Sequence, residues 1–203
     1  MDITSGRVVV ADPLCYMAGE HVIAPVLEKE IPNGSYPVEI SLYRDMFLGV
    51  RICTARLKLK DAAAVRYERA QPIPDTAAFK AKDGVASGFP VDAGMMCFMD
   101  ANGAKDYAFF LLDWHGKNPG KNHYDDYFAA FFAESDKKLP QFQREGGDFI
   151  EWTNPINNKR AVMASSGLGD GFYQCFWGYD GNGELCELAV PMVDPDIFEE
   201  RGQ

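Results

Sequence analysis

Two aspartates stand at matching places in two similar stretches of the chain. Asp92 and Asp170 each precede a Cys-Phe pair by five residues, and the turn sequence Asp-x-Asn-Gly follows at 100–103 and at 180–183. Two carboxyl groups facing each other across a cleft could act as general acid and base in a glycosidase-like hydrolase. The sequence favours a simpler interpretation, in which each aspartate caps a glycine-rich turn through its own backbone and the similarity reflects turn chemistry.

Histidines and aspartates are also gathered between residues 115 and 126. His115, His123, Asp125 and Asp126 are of types that suit a divalent transition metal. The two aspartates, however, are explained as first-turn residues of a helix, where negative charge is favourable. Lysines in the intervening loop would repel a cation. We therefore predict neither a metal site nor a cofactor, and a metal near His115 and His123 stays part of an alternative hypothesis.

Other catalytic or ligand-binding patterns are weaker. Ser165 and Ser166 precede a glycine, but no Gly-x-Ser-x-Gly elbow is present and the chain has three histidines in all. The turn at 180–184 lacks the ligand spacing of the twelve-residue calcium loop. No helix is predicted after the glycine-spaced segment 167–171 to supply a positive end for phosphate. Nucleophilic catalysis, calcium binding and phosphate binding are therefore disfavoured.

The aromatic stretch 172–179 suggests a binding surface. Strand alternation sends Tyr173 and Trp177 to one face and Phe172 and Phe176 to the other, so one set must meet another element, a ligand or a partner. The candidate binding residues in and around the glycine-rich turns are Asp92, Gly94, Asp170, Gly171, Tyr173, Trp177 and Asp180.

The charge of the chain restricts its partners. Thirty acidic residues against twenty basic ones give a formal net charge of −10. Such a chain repels nucleic acids and anionic lipid surfaces. Its acidity could favour a basic protein partner, although acidity that serves solubility is the simpler interpretation. No apolar run approaches the roughly 20 residues of a membrane span, and no signal peptide is recognisable. Five dispersed cysteines without a Cys-x-x-Cys pair indicate reduced thiols and a cytoplasmic location.

These observations lead to two hypotheses. The first is a non-enzymatic cytoplasmic binding protein, of the immunity type that neutralises a toxin partner. The alternative is a hydrolase that uses Asp92 and Asp170, or a metal near His115 and His123. The missing catalytic constellation favours the first, so we lean against an enzyme. The oligomeric state does not follow from the sequence.

Hydrophobic periodicity predicts a mainly β protein. Residues 124–138 form the one clear amphipathic helix, and 75–82 a short second one. The two predicted hairpins are 95–114, turning at 101–104, and 171–190, turning at 180–183. Further strands are predicted at 6–11, 36–43, 46–60, 65–70, 148–153 and 160–164, with a bulge or bend near Ala55. The expected fold is a single globular domain over 1–203, an antiparallel β-sandwich or partly open barrel with one packed amphipathic helix.

Several motifs resemble those of a known family. They are GFPVDAG at 88–94, CFMD at 97–100, SGLGDGFY at 166–173 and WGYDG at 177–181. Together they are similar to a bacterial family described only as a domain of unknown function, with patterns of the type VDAG-x-x-CFMD and SGWGDG-x-Y followed by G-x-D-x-x-G. The resemblance covers nearly the whole chain. Leu168 stands where the pattern has tryptophan, which puts a stacking role there in doubt. The resemblance implies a fold group and no reaction.

Overall fold

A computed structural model describes residues 1–17, 23–46, 49–77, 80–81 and 84–194. The helices are α1 (Ala101–Lys117) and α2 (Ala129–Lys138), with a π-helical turn (Tyr124–Phe128) before α2 and short 3₁₀ turns at Pro74–Thr76 and Pro140–Phe142. The strands are β1 (Asp2–Ile3), β2 (Val8–Ala11), β3 (Gly34–Ser35), β4 (Val38–Asp45), β5 (Gly49–Lys58), β6 (Arg66–Arg69), β7 (Lys80–Ala81), β8 (Gly84–Val85), β9 (Phe89–Val91), β10 (Met95–Asp100), β11 (Phe149–Thr153), β12 (Arg160–Ser165), β13 (Gly171–Tyr173), β14 (Phe176–Tyr179) and β15 (Leu185–Pro191).

Two antiparallel sheets and a layer of helices build the molecule. The first sheet has the strand order β11-β12-β10-β2 and the second the order β4-β5-β15-β14-β6, while β1-β3, β9-β13 and β7-β8 are two-stranded ribbons. The inner faces of the two sheets pack on each other through Phe98, Leu57 and Trp177, among others. The helices cover the opposite face of the first sheet, where Tyr107 and Phe132 meet Trp152 and its neighbours. The fold is therefore a β-sandwich with helices on one side.

The four-stranded sheet is the middle layer, which explains its sequence. All six residues of β10 and all four of β2 are buried. A strand covered on both faces has no solvent-facing positions, so β2 is apolar throughout and β10 is apolar up to its last residue, Asp100, instead of alternating. The five-stranded sheet is covered on one face, and β5 alternates between buried and half-buried residues except at Ile52–Cys53. The register between β4 and β5 shifts there, between Ser41 and Leu42, so the irregularity predicted near Ala55 is confirmed.

The predicted hairpin at 95–114 is wrong in its second half. Residues 95–100 form a strand, but Asp100 accepts hydrogen bonds from the amides of Asn102 and Gly103 and begins helix α1. An aspartate side chain that accepts hydrogen bonds from the amides two and three residues later can be the N-cap of a helix as well as part of a turn. Ala104, Tyr107 and Leu111 are buried at a spacing of three and four residues, the period of a helix. The aromatic content of 107–114 had favoured a strand.

Most of the other predicted secondary-structure elements agree with the structure. The helix predicted at 124–138 is confirmed, with its first turn in the π conformation. The hairpin within 171–190 is confirmed for β14 and β15, which pair across the turn at 180–183. The short helix at 75–82 is wrong: 74–76 form one 3₁₀ turn and 80–81 a strand, while 78–79 and 82 lie outside the described residues. The mainly β sandwich is confirmed, with two helices instead of one.

A buried carboxylate stabilises the outer face of the five-stranded sheet. Glu187 is 3% exposed and lies 2.7 Å from Lys58 Nζ, 2.7 Å from the Tyr67 hydroxyl and 3.6 Å from Arg56 Nε. Burial raises the pKa of Glu187, but the hydrogen bonds from Lys58 and Tyr67 and the neighbouring positive charges together outweigh it. The pKa therefore lies below its ordinary value of 4.5. Gly178 leaves the space that this cluster fills.

This lowered pKa predicts an acid limb of stability. Because the folded state binds the proton more weakly than the unfolded chain, the stabilisation is present above the unfolded pKa and is lost as pH falls through the folded one. We expect the free energy of unfolding to decline below about pH 4.5. Denaturant titrations between pH 3 and 7 measure it, and Glu187→Gln should show a shallower decline. An equally steep decline in Glu187→Gln would contradict this assignment.

Candidate functional site

The ribbon formed by β9 and β13 brings Asp92 and Asp170 together. Gly171 pairs with Val91, Phe172 with Pro90 and Tyr173 with Phe89. Asp170 and Asp92 are the next positions beyond the Gly171–Val91 pair, so continuing the ladder by one position sets the two aspartates opposite each other at the end of the ribbon. Residues opposite each other in an antiparallel ladder project to the same side. The sequence alternative that placed both carboxylates at one cleft is thus geometrically supported.

Each carboxylate is held by a group from another segment. The Tyr16 hydroxyl donates a hydrogen bond to Asp92, and this bond raises the pKa of Tyr16 to about 12. The amide of Gly94 donates to Asp170 Oδ1 over 3.0 Å. The expectation that each aspartate caps its own turn is therefore not what the structure shows. Both side chains belong to exposed residues, and neither forms an ion pair with any residue that the structure describes.

Gly94, Gly171 and Tyr173 form the framework of the site. Gly94 has a φ of +62°, in the left-handed region that favours glycine, and its carbonyl accepts a hydrogen bond from the amide of Ser166. The Tyr173 hydroxyl lies 2.7 Å from the carbonyl oxygens of Ser166 and Gly169. These two hydrogen bonds hold the glycine-rich turn in its conformation. Tyr173 and Gly171 therefore position Asp170, with the tyrosine hydroxyl directed inward.

Asp12 completes the framework, although sequence reasoning did not identify it as a site residue. This carboxylate is fully buried and accepts hydrogen bonds from the amides of Leu14 and Cys15 through one oxygen and of Asp92 and Ala93 through the other. It joins the segment after β2 to the turn after β9. The Asp-Pro sequence at 12–13 indicated a turn. No local pattern indicates a bond across some eighty residues.

Cys15 lies beside the aspartates as an exposed thiol, whereas the other four cysteines are buried. Burial of the sulfur raises the pKa of Cys15 above its ordinary value, and the charges of Asp12, Asp92 and Asp170 raise it further. The thiol is thus held in its protonated, weakly nucleophilic form.

This arrangement predicts slow alkylation of Cys15. Iodoacetamide should label this cysteine alone in the native protein, more slowly than an unperturbed cysteine, because the thiolate is the reacting species. The Asp92→Asn/Asp170→Asn double variant should react several-fold faster, since two negative charges beside the sulfur are removed. Mass spectrometry of timed samples measures both rates. Unchanged labelling in the double variant would show that the carboxylates lie away from the thiol.

A cavity of about 660 Å³ opens beside the aspartates. Its walls include Cys15, Gly94 and the turn 167–169, together with Arg51, His123 and Arg144. Arg144 makes two hydrogen bonds to the buried carboxylate of Asp148, at 2.6 and 2.8 Å, which neutralise it. Arg144 is thus engaged by Asp148 and forms no ion pair with the exposed Asp92 or Asp170.

The two histidines contact each other instead of forming a metal site. His123 Nε2 donates to the Leu14 carbonyl over 3.1 Å, so its Nδ1 accepts from His115 Nε2 at 3.2 Å in the neutral form. Burial lowers the pKa of His123, and the charge of His115 lowers it further. Within the described residues, no three potential metal ligands are grouped. The geometry thus gives no support to the metal-based form of the hydrolase hypothesis.

Trp177 and Asp180 lie in other parts of the fold. Trp177 is 1% exposed and packs in the core between the two large sheets. Asp180 accepts hydrogen bonds from the amides of Asn182 and Glu184 within its own turn between β14 and β15. Of the seven candidate residues, the structure therefore brings five together: Asp92, Gly94, Asp170, Gly171 and Tyr173.

Comparison with known proteins identifies a family whose description names no activity. The model of the family described as "Protein of unknown function (DUF4241)" matches residues 1–190. Neither the curated proteins nor the solved structures contain a significant match to the chain. In the described part of the chain, each helix is too short or too polar to cross a membrane.

Proposed function

Because the chain belongs to this family of proteins of unknown function, we propose a function from its own residues: a non-enzymatic protein that binds a basic protein partner. The observation that carries this proposal is the pair of exposed carboxylates, Asp92 and Asp170, at the end of the β9–β13 ribbon. Both are fixed in position by hydrogen bonds from other segments. A lysine or arginine side chain of a partner would neutralise their negative charge.

The remaining groups at the site fit binding better than nucleophilic catalysis. The Cys15 thiol is kept protonated by burial and by three carboxylates. The buried carboxylate of Asp12 and the hydroxyl of Tyr173 are occupied in holding the turns. A rigid, preformed acidic surface lowers the entropic cost of association. The net charge of −10 would steer a basic partner towards it.

As the more specific form of this proposal, the protein is a cytoplasmic immunity-type protein whose partner is a basic toxin. Its support is the combination of the acidic charge with a site that presents carboxylates and holds its thiol inactive. Opposite charge on the two proteins would give fast association, which a protective protein requires.

Affinity capture from a lysate of the host tests the proposal. The Asp92→Asn/Asp170→Asn variant removes the paired charge at nearly constant shape, and Asp61→Asn/Asp75→Asn removes the same charge from exposed residues elsewhere. We expect the wild type and the control to retain the same basic protein and the site variant to retain at least about tenfold less. Equal retention by both variants would place the interaction elsewhere, and absence of any specific protein would refute the function.

The convergence of Asp92 and Asp170 also supports a second candidate function, a hydrolase that uses both carboxyl groups. Glycosidases place two carboxyl groups about 5–10 Å apart across a cleft. Incubation with a panel of chromogenic glycosides tests it. Turnover that is lost in Asp92→Asn/Asp170→Asn and kept in Asp61→Asn/Asp75→Asn would establish the hydrolase. Equal background hydrolysis by the wild type and both double variants would show that the protein does not hydrolyse these glycosides.

A further inference from the structure

We propose that the edge of strand β4 binds an extended segment of the partner protein as an added antiparallel strand, with apolar residues alternating with basic ones. The inference rests on the proposed function, since it names how a protein partner is held. It concerns a surface separate from Asp92 and Asp170. The first support is the position of β4, which in the described structure is hydrogen-bonded to β5 alone and forms the edge of the five-stranded sheet.

The direction of the backbone groups on this edge follows from the neighbouring hydrogen bonds. The carbonyl of Pro37 accepts from the amide of Lys58, so the backbone of Pro37 faces β5. On the opposite side, Tyr36 exchanges two hydrogen bonds with Met1, at 2.7 and 2.8 Å. Backbone groups alternate in direction along a strand. The N–H and C=O groups of Val38 and Ile40 therefore point the same way as those of Tyr36, away from β5.

The same edge already carries a strand at its beginning. β1 pairs antiparallel with β3, and the pairing extends to Met1 and Tyr36. An incoming strand opposite Val38 and Ile40 would lie in line with β1 and continue its hydrogen-bond pattern. Strand addition at a sheet edge is an established mode of peptide recognition, in which the main chain supplies affinity and alternate side chains supply specificity. Here it needs no rearrangement of β4.

A cleft lies where the side chains of such a strand would point. Its volume is about 840 Å³, and it lies between the edge of β4 and the β11–β12 edge of the other sheet. Residues of the added strand opposite Val38 and Ile40 would project to the same face as these two side chains, into the cleft. The apolar residues of this cleft include Val38, Ile40, Leu42, Phe142, Phe149 and Val162. Aliphatic side chains of the partner would fill this space.

Charge at the edge selects the intervening residues of the added strand. Glu39 lies between Val38 and Ile40, is exposed, and projects to the outer face. Residues of the partner next to it on that face would be lysine or arginine, since opposite charges on neighbouring strands attract. Glu151 and Asp2 at the margin of the cleft are both bound by Arg160, and Glu151 also lies 4.0 Å from the N-terminal amine of Met1. The preference for basic residues in the added strand therefore rests on Glu39.

The probe is the amidated and acetylated peptide Lys-Val-Lys-Ile-Lys-Val-Lys, added to the full chain tagged at its C terminus. Ile40→Pro removes an N–H that points away from β5, so the β4–β5 ladder keeps its hydrogen bonds. Arg69→Pro is the matched control on β6, the other edge of the same sheet, because the amide of Ala70 faces β14 and that of Arg69 therefore faces away. Fluorescence anisotropy measures affinity, and amide hydrogen exchange locates the peptide.

We expect micromolar binding to the wild type and to Arg69→Pro, and binding at least about tenfold weaker to Ile40→Pro. The amides of Val38 and Ile40 should exchange more slowly with peptide bound, which tests the site without any variant. No binding at millimolar peptide, equal affinity of the two proline variants, or a wild-type dimer abolished by Ile40→Pro would each overturn the inference. If the peptide test fails in one of these ways while a basic protein is still captured through Asp92 and Asp170, only strand addition is refuted and the proposed function stands.

Discussion

Replacing Asp100 by alanine is expected to lower the free energy of unfolding by about 4 kcal/mol, a large part of the roughly 5–15 kcal/mol by which a folded domain is stable. The carboxylate is 2% exposed and accepts hydrogen bonds from four backbone amides. Two belong to the first turn of α1, at Asn102 and Gly103, and two to the N-terminal segment, at Thr4 and Ser5. An amide left without a partner costs about 1–3 kcal/mol where it is buried, as at Gly103, and less at the partly buried amides of Thr4, Ser5 and Asn102. Circular dichroism during denaturant titration measures the loss.

Two variants keep this prediction informative if the alanine variant fails to fold. Asp100→Asn keeps the shape and one acceptor, so an intermediate loss is expected. Asp113→Ala, on the exposed face of the same helix, removes a surface ion pair with Lys117 and should change stability by less than about 0.5 kcal/mol. A loss in Asp100→Ala no larger than in Asp113→Ala would show that Asp100 does not join α1 to the N-terminal segment.

Replacing Gly88 by alanine is expected to cost about 3 kcal/mol or more and to disturb the functional site. Gly88 has a φ of +136°, which side-chain-bearing residues rarely adopt. A Cβ atom there would overlap the carbonyl oxygen of Tyr173 and come within 2.7 Å of the Phe172 ring. Because β9 and β13 pair immediately beyond this point, the added methyl group would push the ribbon apart and separate Asp92 from Asp170.

Gly181→Ala is the matched control, since nothing lies within 4 Å of a Cβ atom at that turn. It should change stability by less than about 0.5 kcal/mol. Thermal unfolding compares the two variants, and the rate of Cys15 alkylation reports whether the aspartates have moved. Similar melting temperatures for both variants would mean that the β9–β13 ribbon tolerates a side chain at Gly88.

Sequence periodicity predicted most of the sheet elements correctly because alternation survives wherever one face is open, as in β5. It also identified the helix at 124–138 from its aromatic face and terminal charges. It failed at 101–117, where the aromatic residues favoured a strand and Asp100 was interpreted as a turn residue. The apolar spacing of Ala104, Tyr107 and Leu111 was the signal that could have identified this helix.

The candidate site was predictable only in part. The matching positions of Asp92 and Asp170 raised a shared cleft as the less favoured alternative, and the structure places both residues at the same end of the β9–β13 ribbon. The bonds that hold Asp92 involve Tyr16 and Asp12, nearly eighty residues away in the chain. Such contacts arise from the packing of the β9–β13 ribbon against the segment after β2. A single sequence contains no local pattern for tertiary contacts of this kind.

The salt dependence of partner retention tests the central claim, that this acidic protein binds a basic protein through exposed carboxylates. Host lysate is passed over the immobilised protein at low ionic strength and eluted with a salt gradient. We predict one specifically retained protein of high isoelectric point, released as salt screens the charges over a Debye length of about 10 Å at 0.1 M. An empty column at low salt, or retention that does not change up to 1 M salt, would contradict it.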